Sequence, residues 1–138
     1  MLQRRLGQVF AVGLALAAAP ATAQVIPDNF VGGRTSDLAA LCAAGPNDPV
    51  VRDAVNYCHG FLMAVGQFHA EVTREGARIR PFFCLPNPRP SVSDITGGFV
   101  AWARANPQFA GTSAVEGVVR YGAATFPCPT PPARGRRS

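Results

Sequence analysis

The sequence has no lysine, one tryptophan and only two histidines among its 138 residues. His59 and His69 are ten residues apart, and neither has a partner at the i, i+4 spacing of a metal-binding pair on a helix. The cysteines form no Cys-x-x-Cys pair, which disfavours a zinc site. No serine lies in a Gly-x-Ser-x-Gly turn that would present a catalytic nucleophile. These absences predict a protein without a metal or any other cofactor.

Acidic residues are also scarce, with eight in the whole chain. Glu71 and Glu75 share one face of a predicted helix, where like charges at this spacing indicate a solvated helix end. Within the predicted domain, once Asp37, Asp48 and Asp53 are set aside as residues of the first two helix starts, only Asp94 and Glu116 remain for a catalytic pair. General acid–base catalysis needs such groups placed together at the reacting bond. We therefore predict that the protein is not an enzyme.

The N-terminus carries the one long apolar run. Arg4 and Arg5 precede it, the run extends from Leu6 to Ala19, and Ala21-Thr22-Ala23 follows as a small-x-small cleavage site. This order predicts a signal peptide over residues 1–23 of an exported bacterial-type protein. An uncleaved N-terminal anchor is the alternative. Because no second long apolar run follows, we predict no stable membrane insertion after cleavage.

The excess of positive charge lies at the two ends of the chain. The formal net charge is +5, from 13 basic and 8 acidic residues. Loss of the leader leaves 11 basic residues, and Arg134, Arg136 and Arg137 then account for the remaining excess. A nucleic-acid surface would need a basic face on the folded domain itself. We therefore predict no binding to nucleic acid.

All four cysteines, Cys42, Cys58, Cys84 and Cys128, follow the predicted cleavage site. An even number of cysteines in an exported protein indicates disulfides, because the compartment is oxidising. Four cysteines allow three connectivities. We expect Cys42–Cys58 across a tight turn between the first two helices. We expect Cys84–Cys128 if the last two helices form an antiparallel hairpin.

Four segments carry apolar residues at the period of an amphipathic helix, and no segment carries a convincing strand pattern. The longest pattern starts near Val51 and ends at Val72. These patterns predict an all-α fold, a single small domain of about four helices over residues 35–128, held by two disulfides. Residues 24–34 are expected to be an extended lead-in. Residues 129–138, rich in proline and arginine, are expected to be a disordered tail.

The helix starts have recognisable capping residues. Thr35 or Ser36 is predicted to cap the first helix, and Asp48 the second, with a proline at its first position. Ser91 and Ser113 are predicted to begin the third and fourth helices through capping boxes. Each of these serines has an acidic residue three positions later.

The second helix contains two kinds of unusual residue. His69 lies on its apolar seam, which predicts a buried histidine with a satisfied hydrogen bond rather than a ligand. Gly60 and Gly66 each weaken a helix by up to about 1 kcal/mol relative to alanine. We expect them to allow the close approach of another helix.

The segment from Ala77 to Pro90 is the best candidate for a partner-binding surface. It combines arginines with aromatic residues, the types that anchor protein interfaces. Prolines and a cysteine restrict it, so its presentation would cost little entropy. The predicted binding residues are Arg78, Arg80, Phe82, Phe83 and Arg89. The alternative is that the two phenylalanines pack under the loop while the arginines are solvated.

Several motifs, taken in order, resemble the Rap/Tai family of immunity proteins over residues 30–128. The matching pieces are Leu38 to Cys42, Cys58-x-Gly60-Phe61-Leu62, Phe83-Cys84-Leu85-Pro86, Ser91-Val92-Ser93, Asn106-Pro107 and Phe126-Pro127-Cys128. The residues that carry over are structural: the four cysteines, Gly60, Phe61, Pro86 and Pro127. The chain departs from the pattern at Asp94-Ile95-Thr96, which lacks an expected glutamine, and at Gly97-Gly98.

The resemblance implies a small periplasmic all-helical protein, often a homodimer, that binds and blocks a peptidoglycan amidase toxin delivered by type VI secretion. It also implies a fold similar to that of a periplasmic acid-stress chaperone. A stress chaperone or envelope structural factor is therefore the alternative function. A small-molecule binding module, with a groove beside Phe61, Phe68 and Trp102, is a third hypothesis.

Overall fold

The computed structural model describes residues 24–130, in which the chain forms four α-helices and two single turns of 3-10 helix. The helices are α1 (Thr35–Cys42), α2 (Val51–Val72), α3 (Val92–Ala105) and α4 (Ala114–Thr125), and the 3-10 turns are Pro27–Phe30 and Pro107–Phe109. The described part has no strand, only an isolated bridge between Arg34 and Ser113. The predicted all-α fold is confirmed. The predicted signal peptide and residues 131–138 of the predicted tail lie outside the described residues.

Helix α1 is capped differently from the prediction. The Asp37 carboxylate accepts the Arg34 backbone N–H at 3.1 Å, so an acid in the first turn satisfies the donor that precedes the helix. Thr35 is 1% exposed and its hydroxyl donates to the Ser113 carbonyl at 3.1 Å. The expected cap by Thr35 or Ser36 is therefore wrong, because the threonine hydroxyl instead joins α1 to the start of α4.

Helix α2 begins two residues later than the Asp48-Pro49 motif predicts. Asp48 accepts the Val50 N–H at 3.0 Å through one oxygen and the Val25 N–H at 2.8 Å through the other. The carboxylate therefore closes the turn before the helix and also fastens the lead-in to it. Val25 is buried as a result, against Leu41 and Ala54.

Helices α3 and α4 begin at the predicted serines. The Ser91 hydroxyl accepts the Asp94 N–H and the Asp94 carboxylate accepts the Ser91 N–H, each at 3.1 Å. Hydrogen bonds from the Ser91 side chain and backbone lower the pKa of Asp94 below its usual value. At α4, Ser113 accepts the Glu116 N–H at 3.2 Å. The predicted box is only half formed there, because Glu116 pairs with Arg120 at 2.8 Å.

The core forms where the short helix α1 packs against the other three helices. Leu38, Leu41 and Phe99 are at most 2% exposed. Burial of such side chains provides about 1.5–3 kcal/mol each relative to exposure. Leu38 and Phe99 belong to the main cluster, whose other buried members are Cys42, Cys58, Leu62, Ala114, Val118 and Tyr121, whereas Leu41 belongs to the smaller cluster with Val25 and Ala54.

Both predicted disulfides are confirmed. Cys42–Cys58 joins the end of α1 to α2, and Cys84–Cys128 joins the segment before α3 to the segment after α4. No cysteine in the chain is free. The bonded cysteines are 16 and 44 residues apart in the sequence, so each bond closes a separate stretch of the chain. Such bonds stabilise a chain that is too short to form a large core.

The glycines of α2 and α3 have different roles from those expected. A Cβ at Gly60 or Gly66 would meet nothing within 4 Å, so the expected close approach of another helix is wrong within the described residues. A Cβ at Gly98 would clash with the Tyr121 hydroxyl and ring. The neighbouring Gly97 has open space instead. The packing of α3 against Tyr121 of α4 therefore requires glycine at position 98. It does not require glycine at position 97.

Substitution of the two adjacent glycines by alanine should have opposite effects on stability. Gly98→Ala forces the Tyr121 ring to move and should lower the free energy of unfolding by about 1–3 kcal/mol. Gly97→Ala removes a flexible residue from an exposed helix position and should raise it by about 0.5–1 kcal/mol. Urea denaturation of the two variants and the parent measures both. Equal effects of the two substitutions would contradict the close contact at Gly98.

Candidate partner-binding loop

The candidate site is the segment 77–90, called here the loop, which connects α2 to α3 without regular secondary structure. Three attachments fix it to the helical body. Cys84 is bonded to Cys128, and its backbone N–H donates to the Phe126 carbonyl at 2.8 Å. The Phe82 N–H donates to His69 Nε2 at 3.1 Å. The centre of the loop is therefore fixed although its ends are exposed.

Phe83 is the buried anchor of the loop. Its side chain is 8% exposed and its ring stacks on the His69 imidazole, with centroids 3.9 Å apart and planes 12° apart. On the α4 side, a Cβ at Gly122 would lie 2.6 Å from Phe83 Cδ1. The ring therefore fits between α2 and α4 only because residue 122 has no side chain.

His69 is a buried histidine with a satisfied acceptor, as the sequence predicts. It is 8% exposed, and its Nε2 accepts the Phe82 N–H. An acceptor at Nε2 assigns the proton of the neutral ring to Nδ1. Burial lowers the pKa of His69 below its usual value of 6.5, because the charged ring loses solvation. The ring is therefore neutral in the folded protein near pH 7.

Phe82 is 54% exposed, in contrast to the buried Phe83 beside it. The alternative in which both phenylalanines pack under the loop therefore describes Phe83 and not Phe82. An exposed aromatic side chain on a fixed backbone is a common anchor of a protein interface. The loop consequently exposes two large apolar side chains, Phe82 and Ile79, and Ile79 is 48% exposed.

The three arginines of the loop are exposed and have no ion-pair partner among residues 24–130. Ion pairs in this part of the chain join Arg52 to Asp53, Arg74 to Glu71 and Arg120 to Glu116. The loop contains no acidic residue. Arg78, Arg80 and Arg89 therefore concentrate positive charge on the loop, whereas the rest of residues 24–130 carries five arginines and eight acidic residues.

A pocket of about 400 Å³ lies between the inner side of the loop and α2. The sequence analysis did not predict this pocket. Gly66 could have indicated it, because a glycine inside a helix leaves space where a side chain would otherwise lie. The pocket is lined by Leu62, Met63, Gly66, Gln67, His69, Ala70, Thr73, Pro81, Phe83, Cys84, Leu85, Arg89, Pro90, Val92 and Ile95.

The aromatic residues expected to form a groove lie elsewhere. Phe68 is 69% exposed, Phe61 stacks on Tyr57, and Trp102 stacks on Phe99 and Phe109. None of Phe61, Phe68 and Trp102 lines the pocket under the loop. In the described residues no cluster of histidine, cysteine, aspartate or glutamate could hold a metal ion.

Comparison with known proteins gives one match. A family model described as Rap1a immunity proteins matches residues 34–128, which is more than two thirds of the chain and includes all four helices. No curated protein and no solved structure matches the chain significantly.

Acidification should destabilise the fold through His69. Because its folded-state pKa lies below 6.5, the unfolded chain binds more protons than the folded chain between the two pKa values. The free energy of unfolding should therefore fall as the pH decreases below 6.5 and level off below the folded-state pKa. Urea denaturation in steps between about pH 7.5 and about pH 5 measures this dependence.

Two matched variants assign the effect to one ring. His69→Gln and His59→Gln each remove one imidazole from α2, and His59 makes no side-chain hydrogen bond in the described part of the chain. The pH dependence should disappear in His69→Gln and persist in His59→Gln. Persistence of the full dependence in His69→Gln would contradict the assignment.

Proposed function

This chain belongs to the Rap1a immunity protein family, which confirms the resemblance seen in its motifs, and we propose that it occludes the active site of a peptidoglycan amidase toxin in the periplasm. Family membership makes it an immunity-type protein that binds a toxin. The identity of the toxin as an amidase, its delivery by type VI secretion and the compartment are parts of the proposal.

The observation that carries the occlusion proposal is the difference in burial between Phe82 and Phe83. Phe83 fixes the loop from inside, while Phe82 projects from the adjacent position and is 54% exposed. A backbone already fixed before binding loses little conformational entropy when a partner covers it. A fixed projecting aromatic residue suits insertion into a concave cleft, which is the shape of a hydrolase active site.

The charge of the loop supports an acidic partner surface. Three arginines lie in the same loop as Phe82, the loop has no acidic residue, and arginine forms strong paired hydrogen bonds with carboxylates. A cleft lined by carboxylates would therefore attract the loop at a distance and hold it on contact. Blocking by occlusion requires no bond to be made or broken, which agrees with the proposal that the protein is not an enzyme.

The periplasmic location is supported by the cysteines. Both pairs are disulfide-bonded, and such bonds persist in oxidising compartments. The predicted signal peptide provides the route. Within residues 24–130, no helix has the length and apolar character needed to cross a membrane.

Self-association through α2 is a second part of the proposal. From Ala54 to Ala70 the helix has no charged residue, and Tyr57 and Phe68, which lie on the same side of the helix, are 38% and 69% exposed. Two copies related by a two-fold axis place the same patch against itself. An uncharged patch meets its copy without like-charge repulsion, which favours a homodimer formed by this face.

Substitution of the outer loop residues should abolish toxin binding. The double variant Arg80→Ala/Phe82→Ala removes one charge and the exposed ring, and we expect affinity for the amidase to fall at least about 100-fold. The matched control is Arg104→Ala/Val115→Ala, which removes an arginine and an exposed apolar side chain outside the loop. Calorimetry with a purified peptidoglycan amidase toxin that the parent protein binds measures both, and added salt should weaken the parent complex.

Two results would decide against this assignment. Unchanged affinity of the loop variant would remove the loop from the interface. Absence of any amidase binding, together with suppression of protein aggregation at low pH, would favour the stress chaperone.

Self-association should respond to charge on α2. Phe68→Glu places like charges opposite each other across a two-fold contact and should convert a dimer to a monomer. Val115→Glu, on α4, is the control and should leave the dimer intact. Sedimentation velocity at several concentrations distinguishes these states, and a parent protein that sediments as a monomer throughout would contradict the dimer.

A further inference from the structure

The pocket under the loop has the properties of a small-molecule site, and the toxin-blocking proposal assigns it no ligand. Its volume of about 400 Å³ lies within the range of about 300–1,000 Å³ for such sites. Leu62, Leu85 and Ile95 form apolar walls. A smaller cavity of about 50 Å³ shares these three residues and reaches Phe126. The recess therefore extends from the loop toward the core, and its inner part is lined by apolar residues and Tyr121.

Gly66 keeps this recess open. It lines both the pocket and the smaller cavity, and a Cβ at this position would meet nothing within 4 Å. A glycine inside a helix costs about 1 kcal/mol relative to alanine. No packing contact in the described residues explains that cost. A larger side chain at position 66 would occupy pocket space.

Two hydrogen-bond donors meet this apolar space. Arg89 is the only charged residue among those lining the pocket, and it has no ion-pair partner among residues 24–130. His69 also lines the pocket and is 8% exposed. Its Nε2 accepts the Phe82 N–H, and its Nδ1–H has no protein acceptor in the described part of the chain and is open to solvent, since no buried side-chain polar atom there lacks a partner. Both donors are therefore available to a ligand that enters the pocket with a negatively charged acceptor.

We propose that the pocket binds a medium-chain monocarboxylate of the fatty-acid class. The carboxylate accepts hydrogen bonds from Arg89 and from His69 Nδ1–H, and the apolar chain lies against Leu62, Leu85 and Ile95. A carboxylate satisfies both donors at once, whereas a cationic head would meet the arginine charge. The proposal rests on the pocket and does not require the toxin-blocking role to be correct.

Decanoate is the probe, used below its micelle concentration with the protein purified from the periplasm of an expressing bacterium and stripped of lipid. We expect saturable one-to-one binding by calorimetry. Decanol, with the same chain and a neutral head, should bind about tenfold more weakly, and decyltrimethylammonium should not bind. In methyl NMR spectra, decanoate should shift Leu62 and Ile95 and leave Val115 on α4 unchanged.

Two variants locate the chain and the head of the ligand. Gly66→Leu fills the recess and should abolish decanoate binding, whereas Gly97→Leu adds the same side chain at an open position on α3 and should leave it intact. Arg89→Gln should weaken decanoate about tenfold without affecting decanol, whereas Arg104→Gln should affect neither. Circular dichroism and the disulfide state confirm that each variant is folded.

Three outcomes would overturn the proposal. The first is no binding of decanoate by either calorimetry or NMR. The second is equal binding of decanoate and the cationic analogue, which would show that Arg89 does not select the head group. The third is decanoate binding that persists in folded Gly66→Leu, which would place the ligand elsewhere.

Discussion

The stacking of Phe83 on His69, with Gly122 on its other side, is the interaction on which the loop depends. The ring centroids are 3.9 Å apart, and the missing side chain at residue 122 leaves room for the ring against α4. Without this contact, residues 77–90 would be held mainly by Cys84. Because a loop with no regular structure gains little from its own backbone, its shape must come from side chains that reach the core.

The disulfides act together with this contact rather than replacing it. Cys84–Cys128 lies next to Phe83 and closes 44 residues, which in the chain-entropy model stabilises the fold by about 4 kcal/mol. Cys42–Cys58 closes 16 residues, and in the same model it stabilises the fold by about 3 kcal/mol. The covalent bond limits how far the loop can move, and the buried ring sets its orientation. The outward direction of Phe82 follows from both, since its own backbone N–H is bonded to His69.

The helices and the disulfide pairing could be predicted because their signals are local or topological. Apolar periodicity defined α2, the Ser91 and Asp94 spacing defined the start of α3, and short connections restricted the cysteine pairs. The candidate site could be predicted only as a segment. Phe82 and Phe83 are adjacent and identical in type, so no local pattern decides which one is buried. Which phenylalanine is buried depends on His69, 14 residues before Phe83, and on Gly122, 39 residues after it. Contacts between residues so far apart in the sequence produce no periodic pattern from which they could be predicted.

The pocket and the partner-facing surface share one loop, and this sharing has a thermodynamic consequence. Arg89 belongs to both, and Phe83, which orients Phe82, also lines the pocket. A ligand that orders the inner side of the loop lowers the entropy that a toxin must remove from the outer side, so each would strengthen the binding of the other. A ligand that draws Arg89 inward removes a charge from the toxin-facing surface and has the opposite effect. The sign of the coupling therefore depends on whether the toxin uses Arg89, and by linkage it is the same when measured from either site.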